Sequence, residues 1–353
     1  MSYPLIILGA GASFDFLQRN EYPPHAPDLD QYLPPLTNKL FDGTKFHEII
    51  AKYPEMHKLV DYIRVKLRAD NPKTFEQILS DLYFEKVKVD KGLNVSFISL
   101  LFYISDLFGI ITQKYYQANN NYGALLKMLG FYGNKAVFVN FNYDLLFERS
   151  LGLSGVKSID ELLNGDFPVI KIHGASDWYW SYEVSLWEDE KKSCYEIALN
   201  NAEFFLNPGE KKKNWKLVIN KSTDPRRMLA INVNGLQGFS YLPALALPLV
   251  GKNNYICPDS HIEFLKQRIG EIDRILIIGW KIGDPFLRDL IISELKLRKI
   301  PIAYVSGSSA KDITDSLHEN IKSNIQLINN KGFSNFLSID EGEEFLANQA
   351  STQ

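Results

Sequence analysis

Cysteine is scarce in this chain, since its 353 residues contain only Cys194 and Cys257. Two isolated thiols cannot build a four-cysteine zinc site or the disulfide framework of a small secreted domain. No C-x-x-C pair occurs, and the six histidines are scattered without the H-E-x-x-H spacing of a zinc enzyme. We therefore expect a protein that uses no metal.

A strong charge of either sign is also lacking, because 39 lysines and arginines nearly balance 42 aspartates and glutamates. The net charge of −3 gives no overall positive field for nucleic acid, and no carboxylate cluster has metal-ligand spacing. The N-terminus lacks a secretory pattern, and no apolar run approaches the roughly 20 residues that span a bilayer. These absences predict a cytoplasmic protein that binds neither membranes nor nucleic acid directly.

Short aliphatic runs are present instead, at residues 4–8, 136–140, 168–172, 274–279 and 301–305. Runs that are apolar almost throughout are typical of parallel strands covered on both faces. Helical periodicity occupies residues 46–69, 73–86, 93–118 and 121–130. The pattern predicts an α/β fold with a doubly wound, mostly parallel sheet and a helical insertion subdomain.

The domain organisation follows from where these patterns fall. We predict a single domain over residues 1–353, with a helical insertion subdomain at 42–130. Residues 181–250 mix aromatics, charges and turn residues, so they are predicted to form an irregular insertion. The polar stretch at 346–353 is predicted to be a flexible tail.

The first apolar run ends in five small residues, Gly9-Ala10-Gly11-Ala12-Ser13. A sharp turn from a buried strand into a helix, with little side-chain bulk, is typical of phosphate binding in open α/β sheets. Phe14 follows Ser13, so the third glycine of the dinucleotide fingerprint is missing. Two interpretations remain open here: a phosphate-binding turn, or a tight turn packed against the sheet.

Polar residues and glycine follow three later strands. Asn142 and Asp144 follow the second apolar run, His173 follows the third, and Gly279 and Asp284 follow the fourth. The carboxyl ends of parallel strands meet at one edge of a sheet, where ligands bind. We therefore expect these residues to lie beside the first turn.

Structural roles compete with this interpretation. Asp144 could cap the helix that follows it and Asn142 could form a turn, as is common for these residue types. A lone histidine such as His173 is often a structural hydrogen-bonding group. Asp284, with a proline directly after it, has the pattern of a helix N-cap.

The motifs GAGAS, NYD and K-I-H-G-x-x-D-W, followed by a late glycine turn, stand in this order along the chain. With this ordered set the chain resembles the sirtuin-like fold, and more closely the bacterial sirtuin-like NAD hydrolases of antiphage defence. The segments PPLTNKLF and TFEQIL, and the P-x-x-x-K spacing of Pro248 and Lys252, are similar to the same group. The resemblance extends from residue 4 to about residue 305 and implies a Rossmann-like, sirtuin-type sheet.

The resemblance also implies the site residues, with NAD as the substrate and no metal. It places the NAD diphosphate on the small-residue turn and implies cofactor binding by Gly9, Ala10, Gly11, Ala12, Ser13, Asp15, Gly279, Asp284 and Ser306. It implies catalysis by Asn142, Asp144 and His173 at the nicotinamide end. In this arrangement Asp144 is expected to be ionised, and His173 is expected to act as the base.

Two departures from the family pattern bear on function. The family has two threonines, or Thr-Gln, before its asparagine, whereas this chain has Asn140 and the bulky Phe141. Protein-deacetylating sirtuins carry a four-cysteine zinc ribbon that helps form the acetyl-lysine channel. The two cysteines here cannot supply that ribbon, so deacetylation is the weaker alternative.

The resemblance implies an NAD hydrolase that releases nicotinamide and ADP-ribose and depletes NAD in antiphage defence. Because a cell cannot tolerate unrestrained NAD loss, its activity is expected to be gated. The expected gate is homo-oligomerisation or a separately encoded partner, such as a HerA-type ATPase or an Argonaute-like protein. The alternative from another class is a non-catalytic regulatory subunit that binds NAD or ADP-ribose.

Overall fold

The chain divides into two units, each built from separate stretches of sequence. The first comprises Met1–Pro34, Tyr115–His173 and Asn253–Gln353, and the second comprises Pro35–Lys114 and Gly174–Lys252. The computed structural model describes residues 3–17, 27–69, 73–86, 90–185, 192–207, 212, 214–220, 224–228, 231–232, 237–249, 255–307, 314 and 317–347. The single-domain organisation with two insertions stays a prediction.

The strands of the described residues form two sheets. In chain order they are β1 (Tyr3–Leu8), β2 (Val137–Asn140), β3 (Val169–Ile170), β4 (Gly174–Ser185), β5 (Lys216–Ile219), β6 (Ile231–Asn232), β7 (Gln237–Leu245), β8 (Ile272–Ile278), β9 (Ile302–Val305) and β10 (Ile325–Asn329).

The α-helices include the helical segments predicted from periodicity. In chain order they are α1 (Ala10–Phe14), α2 (Pro27–Gln31), α3 (His47–Ala51), α4 (His57–Leu67), α5 (Phe75–Lys86), α6 (Lys91–Tyr115), α7 (Asn121–Phe131), α8 (Leu146–Ser150), α9 (Cys194–Asn200), α10 (Ala202–Leu206), α11 (Asp259–Arg268), α12 (Pro285–Leu297), α13 (Glu319–Lys322), α14 (Phe333–Phe336) and α15 (Asp340–Ala347). The predicted helix at 46–69 is two helices, because Pro54 opens a 3-10 turn between them.

The first unit contains a six-stranded parallel sheet in the order β10-β9-β8-β1-β2-β3. Strands β2 and β3 follow β1 on one side of the sheet. Strands β8, β9 and β10 follow one another on the other side of β1. Because parallel crossovers are right-handed, the two halves carry their connections on opposite faces of the sheet. The prediction of a doubly wound, mostly parallel sheet is confirmed.

All five predicted strands are present in this sheet, and their central residues are fully buried. The sixth strand, β10, was not predicted. It lies at an edge, and its first four residues alternate between half-buried and exposed, so it lacks the continuous buried apolar run of the inner strands.

The second unit contains helices α3 to α5, most of α6, α9 and α10, together with an antiparallel sheet in the order β5-β4-β7-β6. The long pairing of β4 with β7 runs from Ser185↔Gln237 to Tyr179↔Pro243, with a further pair at Gly174↔Leu245. Residues 181–250 therefore supply regular strands and helices where the sequence predicted an irregular insertion. The short strands mix aromatic and polar residues, which hides their periodicity.

The expectation that no apolar run approaches membrane-spanning length is wrong for helix α6, the one helix in the described residues that is long and apolar enough to cross a membrane. Its most apolar window is 83% buried inside the protein. Its polar residues also have partners in the second unit: Ser99 with Tyr195, and Asp106 with Lys52. These features are typical of a core helix.

The predicted tail falls partly in the last helix. Leu346 is fully buried within α15, and residues 348–353 lie outside the described residues.

Candidate active site

The candidate site lies where the strand order of the first unit reverses, between β1 and β8. The order β3-β2-β1-β8-β9-β10 corresponds to the 3-2-1-4-5-6 order of dinucleotide-binding folds, in which ligands bind at the carboxyl ends beside this switch point. The register pairs Leu8 with both Asn140 and Ile278, so these three strands end level with one another. The loops that follow β1, β2 and β8 therefore start at the same edge of the sheet.

Two glycine turns meet at this switch point. The N–H of Gly9 donates to the carbonyl of Ile278 at 2.9 Å, and the N–H of Gly11 donates to the carbonyl of Gly279 at 3.1 Å. A Cβ on Gly11 would lie 2.7 Å from the Cα of Gly279, and Gly279 itself has φ of +62°. The glycines are therefore required by close backbone contact, independently of any ligand.

This contact limits how the turn could bind phosphate. The N–H of Ala12 donates to the carbonyl of Gly9, so the N–H groups of Gly9, Gly11 and Ala12 all have backbone partners. Helix α1 is only five residues long and brings little helix dipole to this point. Diphosphate binding at residues 9–13 stays a prediction, and any such contact needs other donors or a local rearrangement.

His173 lies beside Asp284 at the same edge. Its Nε2 atom is 3.4 Å from Oδ2 of Asp284, and its side chain is 28% exposed. Oδ1 of Asp284 accepts the N–H of Leu287 at 2.9 Å and caps α12, whose first residue is Pro285. The predicted N-cap is confirmed, whereas the pairing of His173 with Asp284 was not predicted.

The carboxyl of Asp284 is suited to carry a negative charge here. Burial raises its pKa, but the hydrogen bonds with His173 and with the Leu287 N–H outweigh burial, and the pKa lies below its usual value. An ionised Asp284 can accept a hydrogen bond from the facing ring nitrogen of His173.

Aromatic rings pack beside this pair. Phe141 stacks on Trp280 with ring centroids 4.8 Å apart and an interplanar angle of 10°. The other neighbour of Phe141 is the ring of His173, which it meets edge to face at 4.9 Å. Phe141, the residue that departs from the family pattern, is therefore part of the wall around His173.

The loop that leads into α12 is strained at Ile282. Its φ of 57° is the one left-handed value of a non-glycine residue in the described part of the chain, and its side chain is buried. A β-branched residue rarely adopts this conformation without compensation from its surroundings. No sequence pattern marks this strain, which lies between Gly279 and Asp284.

Asn142 is buried below the glycine turn. Its Nδ2 group donates to the carbonyl of Gly9 and to Oγ of Ser13, both at 3.0 Å. Oγ of Ser13 also lies 2.9 Å from the hydroxyl of Tyr122. The amide hydrogens of Asn142 are thus bound within the protein, and only its Oδ1 remains to contact a ligand.

Asp144 belongs to a buried cluster of charges. It is 1% exposed, its Oδ1 accepts the N–H of Leu146, and its backbone carbonyl accepts from Nζ of Lys171 at 2.8 Å. Nζ of Lys171 also pairs with Oε1 of Glu148 at 3.0 Å, and Asn140 donates to the same oxygen. The carboxyl of Asp144 is therefore turned into the protein, but it does not cap α8, whose N-cap residue is Leu145 with no side-chain cap hydrogen bond.

Burial also opposes the expected ionisation of Asp144. Burial raises the pKa of its carboxyl, and the charge of Lys171 and the Leu146 N–H only partly offset this. Neither Glu148 nor Lys171 was predicted from the sequence. The signal that could have revealed them is a lysine within the otherwise apolar run at 168–172, because a buried lysine needs a partner.

The remaining predicted residues lie at the same end of the sheet but have other partners. Both carboxyl oxygens of Asp15 accept from Ser334, at 2.9 Å from its Oγ and 3.0 Å from its N–H. The N–H of Ser306 donates to the carbonyl of Asn329. Lys252 lies outside the described residues.

Comparison with known proteins gives only distant similarities. No protein-family model matches the chain, and no curated protein is significantly similar in sequence. The chain is similar to a solved Sir2 homologue–NAD complex, with 12% identity, a TM-score of 0.42 and coverage of 98% of this chain and 89% of that one. A mutant Sir2 homologue bound to 2′-O-acetyl ADP-ribose gives 13% identity, a TM-score of 0.42 and coverage of 98% and 91%. At these values the similarity does not establish a family or a function for this chain.

A groove of about 740 Å³ runs along α12 in the same unit. Apolar side chains such as Ile292 and Ile321 line it together with Lys281 and Arg288. His173 is not part of its lining, but the groove shares Lys281 and Ile282 with the loop that leads to Asp284.

The close contact between the two glycine turns predicts that a single methyl group added at Gly279 strongly destabilises the fold. In Gly279→Ala the new Cβ would lie 2.5 Å from the backbone nitrogen of Ala12, at a φ that disfavours alanine. We expect a loss of about 2–5 kcal/mol in the free energy of unfolding, measured with urea. Gly130→Ala, in exposed helix with no atom within 4 Å, is the matched control and should be neutral or slightly stabilising. A Gly279→Ala protein as stable as the wild type would contradict the contact.

The buried carboxyl of Asp144 predicts a pH-dependent difference in stability. Because its folded-state pKa is raised, its stabilising contribution is present at low pH and is lost as the pH rises through that pKa. Asp144→Asn keeps an oxygen that can accept the Leu146 N–H but never ionises. The free energy of unfolding of the variant, relative to wild type, should therefore increase as the pH rises from about 4 to neutral.

Urea unfolding at a series of pH values measures this difference. Asp61→Asn, at a carboxyl that is 75% exposed on α4, is the control and should give a nearly constant difference. A constant or falling difference for Asp144→Asn would mean that the carboxyl ionises freely in the folded protein.

Proposed function

We propose that this protein binds NAD at the carboxyl edge of its parallel sheet and hydrolyses the bond between nicotinamide and ribose. The observation that carries the proposal is the His173–Asp284 pair, which lies beside the switch point of a dinucleotide-type strand order. A half-exposed histidine held by a carboxylate is a group that can accept a proton at this edge.

The reaction needs little acid catalysis. When the glycosidic bond breaks, its electron pair goes to the ring nitrogen of nicotinamide, which leaves as a neutral molecule. The ribose is left with oxocarbenium character, and the oxygen of a water then forms the new bond to its anomeric carbon. The proton released by that water passes to a base and then to solvent. The protein must hold the sugar, shield the cation and orient the water.

In this proposal His173 takes the proton from the attacking water or from a ribose hydroxyl. The stacked rings of Phe141 and Trp280 supply an apolar wall beside it, which disfavours stray water. Asn142 contributes through its Oδ1, because its amide hydrogens are held by Gly9 and Ser13.

The biological setting rests on the motif resemblance. We propose a gated effector that depletes NAD in antiphage defence. Its gate would be self-association or a separately encoded partner such as a HerA-type ATPase or an Argonaute-like protein.

A second candidate is a non-catalytic subunit that binds NAD or ADP-ribose and regulates a partner. The internal pairing of the Asn142 amide and of the Gly9, Gly11 and Ala12 N–H groups favours it, since these groups are not directed at a substrate. In that case substitution of His173 would leave NAD binding unchanged, and neither the wild type nor the variant would hydrolyse NAD.

The proposed activity predicts that the protein releases nicotinamide and ADP-ribose from NAD. Chromatography of the reaction at rising protein concentration measures this release. His173→Ala should lower turnover by about 100-fold or more, because it removes the base. His47→Ala, whose side chain is 63% exposed on α3, is the matched histidine control and should keep wild-type turnover. Undiminished turnover in a folded His173→Ala protein would remove His173 from the mechanism. NAD binding without release by the wild type would favour the regulatory subunit.

A further inference from the structure

We propose that Asp284 is a positioning residue that binds His173 through Nε2 and leaves Nδ1 as the atom that accepts the substrate's proton. The catalytic consequence of this pairing rests on the proposed function, whereas the pairing itself does not. This positioning role replaces the cofactor-binding role that the motif resemblance implies for Asp284.

Asp284 is fixed from both sides. Oδ1 is held by the N–H of Leu287 at the start of α12, so Oδ2 is the oxygen that faces His173. The side chain of Asp284 is only 10% exposed. A helix of 13 residues anchors it, and the carboxylate has little freedom to turn away from the ring.

The ring of His173 is also restrained. The edge-to-face contact with Phe141 at 4.9 Å limits rotation of the imidazole. In the described part of the chain no other residue lies within hydrogen-bond distance of either ring nitrogen. When a carboxylate accepts the Nε2 proton, the neutral ring carries its lone pair on Nδ1 and can act there as a base.

The alternative role of Asp284 as a diphosphate contact is disfavoured by charge. A phosphate at the start of α12 would meet an ionised carboxylate whose two oxygens already have partners. Like charges repel at this distance in a partly buried site. Asp284 is therefore better suited to orient His173 than to bind the cofactor.

The strained loop before α12 also helps to place Asp284 next to His173. Residues 279–284 connect the glycine contact at Gly279 to the cap at Asp284, and Ile282 holds a left-handed conformation between them. The loop geometry thus fixes the position of Asp284 relative to the end of β8.

Asp284→Asn tests positioning against capping. Asparagine caps helices as well as aspartate does, so a purely structural cap predicts unchanged kinetics and thermal stability. The positioning role predicts that kcat falls at least about tenfold, while KM for NAD and Tm change little. Asp289→Asn, one turn into the same helix and 67% exposed, is the charge-matched control and should behave as wild type.

An unchanged kcat in Asp284→Asn, with His173→Ala inactive, would overturn the positioning role. A wild type without NAD hydrolysis would instead count against the proposed function, and a second experiment then decides the pairing. Carbon-13 NMR of labelled aspartate carboxyls measures the titration of Asp284 without any substrate. In His173→Phe the ring volume is kept but the hydrogen bond is lost, so the pKa of Asp284 should rise. An identical titration in His173→Phe and wild type would show that the pair does not form.

Discussion

The close approach of the turn at Gly9–Gly11 to Gly279 is the constraint on which the carboxyl edge of the parallel sheet depends. Two hydrogen bonds join these backbones, and no side chain fits between them. The contact fixes the switch point between β1 and β8. It also sets where the loop to α12 begins, and therefore where Asp284 can meet His173.

Behind this edge, buried polar groups hold the neighbouring loop in place. Asn142 is bound to the glycine turn, and Lys171 links the carbonyl of Asp144 to the carboxyl of Glu148. Removing one partner from such a cluster leaves a buried charge uncompensated. The resulting loss of stability is larger than the net stability that the intact pair contributes. The site therefore separates into a rigid buried layer and the pair of His173 and Asp284, in which the histidine is the more exposed partner.

The sequence predicts the inner strands well because burial on both faces requires continuous apolar runs, as in the residues of β1 and β8. It also places Asn142, His173 and Gly279 at one edge, since strand ends set that edge. It does not predict β10 or the antiparallel sheet, whose strands lack such runs. The pairing of His173 with Asp284, 111 residues apart, depends on tertiary geometry alone. The same is true of the orientation of Asp144, which local sequence leaves open between a ligand contact and a cap.

The central claim is that the dinucleotide binds at this edge with its nicotinamide ribose next to His173. The most direct measurement is a crystal structure of the His173→Ala protein with NAD, in which slow turnover preserves the substrate. We predict density for the dinucleotide along the carboxyl edge of the parallel sheet, over the joined turns at residues 9–13 and Gly279, with the ribose beside the position vacated by the imidazole. NAD bound at a different surface of the protein, or no binding at concentrations at which the wild type turns over NAD, would contradict it.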